Sequence, residues 1–272
     1  MDRLTPLLNR FDLTTRVFHT GPLCGWADFD EADGVGHLHI LLGGRLRASR
    51  SGQSDLEVST PALLFYPLPS THRVTIDDGE AADVLCASVD FGTAAGNPVL
   101  RGLPDLLVVP IDAAPALRPT LELIFAEAAA ARCARQTALD QLVGYLIIQL
   151  LRHAMAERLV DAGILAGLAD PRLARAITAI HDKPAHPWSL EALAREAGMS
   201  RARFAANFRA TTGITPIDYL TDWRVGVARS LLRKGMPLKR VALEVGYASP
   251  TTFARAFSQR TGKTPGQWAA AR

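Results

Sequence analysis

Leu193-Ala194-Arg195-Glu196-Ala197-Gly198-Met199-Ser200 and Val241-Ala242-Leu243-Glu244-Val245-Gly246-Tyr247-Ala248-Ser249 are two versions of one segment, 48 residues apart. The likeness continues downstream. Phe204-Ala205-Ala206-Asn207-Phe208 answers to Phe253-Ala254-Arg255-Ala256-Phe257, and Gly213-Ile214-Thr215-Pro216 to Gly262-Lys263-Thr264-Pro265, at an offset of 49 after one inserted turn residue. Each copy reads as a helix, a glycine turn, a Ser-capped second helix and a closing Gly-x-Thr-Pro, which is the helix-turn-helix pattern. Gly198 and Gly246 fall where the turn wants positive φ, a conformation glycine takes without a Cβ clash. Ser200 and Ser249 can cap the second helices. The paired phenylalanines, four residues apart, face the core of each small bundle. Residues 220–232 read as a connecting helix. A generic helical-hairpin repeat is the plainer alternative; matched turns, caps and basic charge weigh against it.

The charge divides at the same place. From Pro171 onward there are 17 Lys and Arg against 6 Asp and Glu, whereas the first 170 residues hold 13 against 21. All four lysines (Lys183, Lys234, Lys239, Lys263) lie in the basic part. A basic segment joined to an acidic one suggests a polyanion partner for the basic half, nucleic acid first, because phosphate neutralisation supplies most non-specific affinity. The 272 residues are enough for more than one domain, and 48% hydrophobic with 21% charged residues excludes wholesale disorder. The longest apolar run, 142–151, is too short to span a membrane, and the first residues lack a secretory core, so the expectation is a cytoplasmic protein. Cys24, Cys86 and Cys133 are too few and too scattered for a disulfide framework.

Working back from the repeat, Asp170-Pro171 marks a helix start, with Asp170 as cap and Pro171 in the first turn. Ser189 caps another. Upstream, Leu139, Leu142, Val143, Leu146, Ile147, Leu150 and Leu151 make one apolar helical stripe, preceded by a second helix over about 115–134. These two helices either pack on the N-terminal domain or form a dimer interface, and both can hold together. Residues 1 to about 110 read as β: short apolar runs at 15–18, 38–42, 62–66, 73–76, 84–89 and 106–111, punctuated by Gly, Pro, Asp and Asn, as in a sandwich or barrel.

The last hundred residues resemble the AraC/XylS-type transcription regulators. The resemblance is carried by Gly198-Met199-Ser200, Phe204, Phe208, Gly213, Thr215-Pro216, Tyr219-Leu220, Arg224, Ala228, Leu231-Leu232, Ala242, Val245-Gly246-Tyr247, Phe253, Arg255, Phe257, Gly262 and Pro265. It implies two helix-turn-helix units joined by a rigid helix, with both reading helices in successive major grooves about 34–36 Å apart on one DNA face. The DNA-binding residues it points to are Ser200, Arg201, Arg203 and Arg209 around the first reading helix, Arg224 in the connecting helix, and Ser249, Thr251, Thr252 and Arg255 around the second. The sequence departs from the family where base readers stand in the first helix. Ala202, Ala205 and Ala206 occupy those positions, and alanine can touch only a thymine methyl.

In the acidic half, His37-Leu38-His39 puts two imidazoles on one face of a strand, and His72 follows about thirty residues later. The pattern resembles a cupin, in which His-x-His, a Glu and a second-motif His bind a metal. Here Gly43-Gly44 stands where the Glu is expected. A metal would therefore need His37, His39 and His72, with Cys24 or Cys86 as thiolate, a chemically sound set for zinc. The alternative is an organic ligand pocket lined by His39, Tyr66 and His72, or histidines that are simply satisfied in the core. Cys24 and Cys86 read as small buried hydrophobes rather than redox sensors, and Cys133 has no evident role.

The expected protein is thus α+β with two domains: a cupin-like β-barrel over 1–112, a helical dimerisation or linker segment over 113–168, and an all-α double helix-turn-helix domain over 169–272. The expected function is sequence-specific regulation of transcription, with double-stranded promoter DNA, a small-molecule or metal effector, a second copy of the chain and, for an activator, RNA polymerase as partners. No enzymatic activity is expected; the rival reading is a metal-dependent cupin enzyme with a DNA-binding tail.

Overall fold

The computed structural model describes residues 2–8, 13–92, 100 and 102–270. The chain divides into two compact units, residues 11–161 and residues 1–10 with 162–272.

The first unit is built on two antiparallel sheets. One has the order β1 (Thr14–Leu23), β8 (Ala82–Asp90), β3 (Gly36–Gly43), β6 (Ala62–Tyr66), β9 (Leu107–Pro110). The other has the order β2 (Trp26–Phe29), β7 (His72–Thr75), β4 (Leu46–Ser49), β5 (Leu56–Val58). Among the described residues the two sheets are not joined into a closed barrel, so the architecture is a cupin-like sandwich rather than the barrel expected. The core between them takes every second residue from each strand: Leu41, Leu64, Tyr66, Val84 and Cys86 from the larger sheet, Phe29, Leu46, Ala48, Val58 and Val74 from the smaller. Residue alternation sends Leu38 and Ile40 to the opposite face, where they are also fully buried.

That outer face is covered by α2 (Arg118–Ala129) and α3 (Arg135–Ala156), α3 packing on β1 and on α2. The stripe Leu139, Val143, Leu146, Ile147, Leu150 and Leu151 is buried within the chain itself. Of the two roles open to it, packing on the β domain consumes the stripe. Asp140 fixes the register of the helix on the sheet: its carboxylate accepts from the Val17 amide at 2.7 Å, and its carbonyl accepts from the Thr15 hydroxyl at 2.5 Å.

The second unit is helical. The division falls at 161/162 rather than near residue 169, because α4 (Gly163–Ala169) buries Ile164, Leu165 and Leu168 and packs on α5 (Pro171–Asp182) and α7 (Arg201–Thr212). Gly167 permits this approach; a Cβ there would lie 2.9 Å from Ile177 and 3.1 Å from Thr212. The short α1 (Thr5–Leu8) also belongs here, with Leu4 and Leu7 buried and the Arg3 guanidinium donating to the Leu168 carbonyl at 2.8 Å. The caps fall where the sequence places them: Asp170 accepts from Arg172 and Leu173 amides at the start of α5, and Ser189 from Ala192 at the start of α6 (Leu190–Glu196). Two helix-turn-helix units follow: α6 with α7, and α9 (Leu238–Glu244) with α10 (Pro250–Thr261). They are joined by the 18-residue α8 (Pro216–Arg233) and closed by α11 (Pro265–Ala270).

Candidate functional site

The second helices of the two units, α7 and α10, are built alike. Ser200 Oγ accepts from the Arg203 amide at 3.4 Å and Ser249 Oγ from the Thr252 amide at 3.2 Å, so each hydroxyl serves its own helix as N-cap. Gly213 and Gly262 end the helices with φ of 79° and 69°. Phe204–Phe208 and Phe253–Phe257 are both edge-on pairs with centroids 5.6 Å apart and planes at 62°. The internal repeat is therefore a repeat of packing, down to ring geometry.

The outward faces differ. On α7, Ala202 and Ala206 are exposed beside Arg201, Arg203 and Arg209. Arg201 pairs with Glu191 of α6 at 2.9 Å, an exposed contact of small energetic value. On α10, Thr251, Thr252 and Arg255 are exposed. Thr252 Oγ1 lies 2.9 Å from Ser249 Oγ, so Thr251 and Arg255 are the freer of these polar groups.

Arg224 makes bonds within the domain that its sequence position does not announce. It is half-buried in the middle of α8, donating from Nε to the Pro184 carbonyl and from Nη2 to the His186 carbonyl, both at 2.8 Å. Its guanidinium carbon stands 5.5 Å from the centroid of the Tyr247 ring. Two of its five N–H donors are thus engaged inside the domain, by the loop before α6.

The acidic unit holds a second constellation. His37 and His39 alternate inward on β3, Tyr66 comes from β6, Cys86 from β8, and Phe29 and His72 from the facing sheet. His72 is sandwiched between Tyr66 (3.8 Å, 12°) and Phe29 (4.8 Å, 13°). Gly36 makes room for this: a Cβ there would lie 2.5 Å from the Tyr66 carbonyl oxygen. An extra residue in β1, at Phe18, breaks the register between Val17 and His19. The half-exposed Phe18 ring then reaches Phe29 and His37, 6.0 and 6.3 Å away.

The polar atoms form a chain with one direction. His72 Nδ1 faces the Ser70 carbonyl at 2.8 Å, and a carbonyl only accepts, so Nδ1 carries the proton. Burial lowers His72 to about 4 and holds His39 well below the usual imidazole range, so both rings are neutral. His72 Nε2 therefore accepts from His39 Nε2–H at 2.9 Å, and His39 Nδ1 accepts from the Cys86 thiol at 3.2 Å. Burial pushes that thiol up to about 12, which keeps it an S–H donor. Beside the chain, His37 Nδ1, Tyr66 Oη and Ser70 Oγ are buried without a hydrogen-bond partner among the described residues.

The donor set expected for a metal is only partly gathered. His37, His39 and His72 meet. Cys86 sits on the far nitrogen of His39, so it cannot share an ion with His39 Nε2. Cys24 is exposed rather than buried, and its neighbour Leu23 pairs with Ala82, four residues along β8 from Cys86, about 13 Å away. The facing imidazole nitrogens, 2.9 Å apart, are closer than the roughly 3.3 Å that zinc–nitrogen bonds of about 2.0–2.1 Å would impose in a tetrahedron. Among the described residues no group of three or more His, Cys, Asp or Glu is arranged to hold a metal ion. These residues do not fit a metal as they stand. The organic-pocket residues His39, Tyr66 and His72, in contrast, are in mutual contact. Phe18 and Phe29 escaped sequence reasoning; Phe29 lies on a four-residue strand with no apolar alternation to announce it.

A family model described as Cupin matches residues 2–156, and one described as Helix-turn-helix domain matches residues 193–271. A "Putative AraC-like transcription regulator" of Streptomyces antibioticus is 36% identical over 195 residues, covering 70% of this chain and 64% of that one. The chain belongs to the AraC family. Two relatives align over both units. An "Uncharacterized HTH-type transcriptional regulator" of Haemophilus influenzae is 34% identical, covering 86% of each chain. The "RCS-specific HTH-type transcriptional activator RclR" of Escherichia coli is 29% identical, covering 89% of this chain and 88% of its own. This AraC-family chain thus joins an N-terminal cupin domain to a C-terminal helix-turn-helix domain, and among its described residues no helix is long and apolar enough to cross a membrane.

Proposed function

We propose that this AraC-family chain is a sequence-specific, effector-responsive regulator acting on promoter DNA in the cytoplasm, with the buried histidine cluster as its effector site. The observation that carries the reading is the set of orphaned polar atoms. His37 Nδ1, Tyr66 Oη and Ser70 Oγ lie beside an otherwise closed hydrogen-bond chain, and each unsatisfied buried group costs about 1–3 kcal/mol. A small polar molecule offering both a donor and an acceptor would satisfy them. Such a ligand regulates only by binding the DNA-competent and the alternative arrangements with different affinity. Dimerisation, and contact with RNA polymerase if the protein activates, belong to the same reading. The enzyme alternative has no comparable support, since the relatives that align over most of the chain carry transcription-regulator names.

The test pairs a promoter–reporter screen across metals and small organic molecules with a folded His39→Ala/His72→Ala double variant. The expected result is that wild-type output responds to at least one compound and the variant's does not. A confirmed ligand that leaves operator affinity and output unchanged overturns the effector role. Elemental analysis of both proteins separates a metal effector from an organic one.

A further inference from the structure

The bonds of Arg224 join parts of the domain that are far apart in sequence. Its carbonyl acceptors, Pro184 and His186, belong to the 183–189 loop that leads into the first helix-turn-helix unit. Tyr247, under its guanidinium, belongs to the turn of the second. The same turn touches the same loop through Gly246: with φ +81°, it lies so close that a Cβ would stand 2.7 Å from the Ala185 carbonyl oxygen and 2.8 Å from Arg224 Nη2. Elsewhere the units meet through α8. Tyr219, Leu220 and Trp223 are buried in its first half, and the buried cluster of Val225, Ala228 and Leu232 with α9 and α10 takes its second. Arg260 of α10 does reach back to Asp218 and Asp222 of α8, but those pairs are substantially exposed and contribute little.

A helix of 18 residues is about 27 Å long and can bend and twist along its length. A second tether at its midpoint removes that freedom. We infer that Arg224 is a positioning residue that sets the separation and phase of the two reading helices, and hence the half-site spacing the protein accepts. The planar guanidinium suits the task, since it donates along two fixed directions and lays its face on the ring at once. The inference rests on the reading that both helices enter successive grooves of one DNA face.

The test uses the full chain. A duplex is first selected by the wild-type protein from a random 30-base-pair library. Versions with one base pair inserted or deleted between the half-sites are then titrated. Wild type is expected to prefer its selected spacing by at least about tenfold, because one base pair misplaces a half-site in both distance and rotation. Arg224→Met keeps the apolar stem and removes both donors. It is expected to cut that preference to about threefold or less while keeping the wild-type penalty for base changes within each half-site. Arg224→Lys, which retains the charge but not the fork, is expected to behave like the Met variant and guards against a misfolded one; Tyr247→Leu supplies a third approach from the ring side. Spacing preference unchanged in the folded variants overturns the inference alone. A uniform loss of affinity at every spacing with a shallower salt dependence also overturns it, since that marks a phosphate contact. A wild-type protein indifferent to spacing overturns the two-groove reading and the inference with it.

Discussion

The neutral histidine chain predicts how the cupin unit responds to acid. His72 is lowered from its ordinary 6.5 to about 4 chiefly by burial, partly offset by its bond to the Ser70 carbonyl. Above neutrality the ring is uncharged in both folded and unfolded chains and the shift has no effect. As pH falls through 6.5 the unfolded chain takes up a proton that the folded chain refuses. Stability is therefore lost from about pH 7 downward and stops falling on this account below about pH 4. A shift of 2.5 units amounts to about 3.4 kcal/mol in full, of which about 2 kcal/mol is gone at pH 5. His39, lowered by burial and by the neighbouring His72 and His37, acts in the same direction. Hydrogen-exchange mass spectrometry of peptides from β3 and β6, corrected for intrinsic rates, reads the opening free energy of this unit directly. Wild type is expected to lose at least about 2 kcal/mol between pH 8 and pH 5. His72→Asn, whose amide can still accept from His39 and donate to Ser70, is expected to lose clearly less. Equal losses in the two proteins would refute the account of the buried neutral ring.

Three further outcomes follow from named contacts. Arg255→Ala, which removes an exposed guanidinium from α10, is expected to weaken specific DNA binding by about 1–3 kcal/mol in a gel-shift titration; unchanged affinity would place Arg255 off the DNA. Brief alkylation at pH 8 is expected to label the exposed Cys24 and Cys133 and spare Cys86, which is buried and pushed up to about 12; rapid Cys86 labelling in peptide mass spectra would contradict the S–H donor assigned to it. Gly36→Ala sets a methyl against the backbone oxygens of Tyr66 and Pro67, at 2.5 and 2.9 Å. Strand β3 must then move, and thermal melting should show a loss of about 1–3 kcal/mol.

The two halves of the chain were unequally legible. In the basic half, caps, turn glycines and phenylalanine spacing are local signals, and Asp170, Ser189, Ser200 and Ser249 all cap the helices they announce. Arg224, which charge and company point to as a DNA contact, also bonds inside the domain, and only the path of residues 183–188 past α8 reveals those partners. In the acidic half, the strands with apolar runs were found, whereas β2, β4 and β5, three or four residues long and carrying Asp, Arg and Glu, were not. His37, His39 and Tyr66 converge on His72 because alternation directs them inward from β3 and β6, and His72 inward from β7 of the facing sheet. Cys24 could not be placed from spacing alone. Its separation from the cluster depends on the β1–β8 register, a non-local property.

The grouping of α1 with the helical unit also governs how the molecule can be dissected. Since Leu4 and Leu7 are buried there and Arg3 bonds to Leu168, the cupin unit is an insertion within a discontinuous domain rather than one of two beads on a string. A fragment beginning at Ala162 would leave the surface that receives α1 uncovered. During synthesis, the opening residues must wait for α4 and α5 to emerge before they find their places.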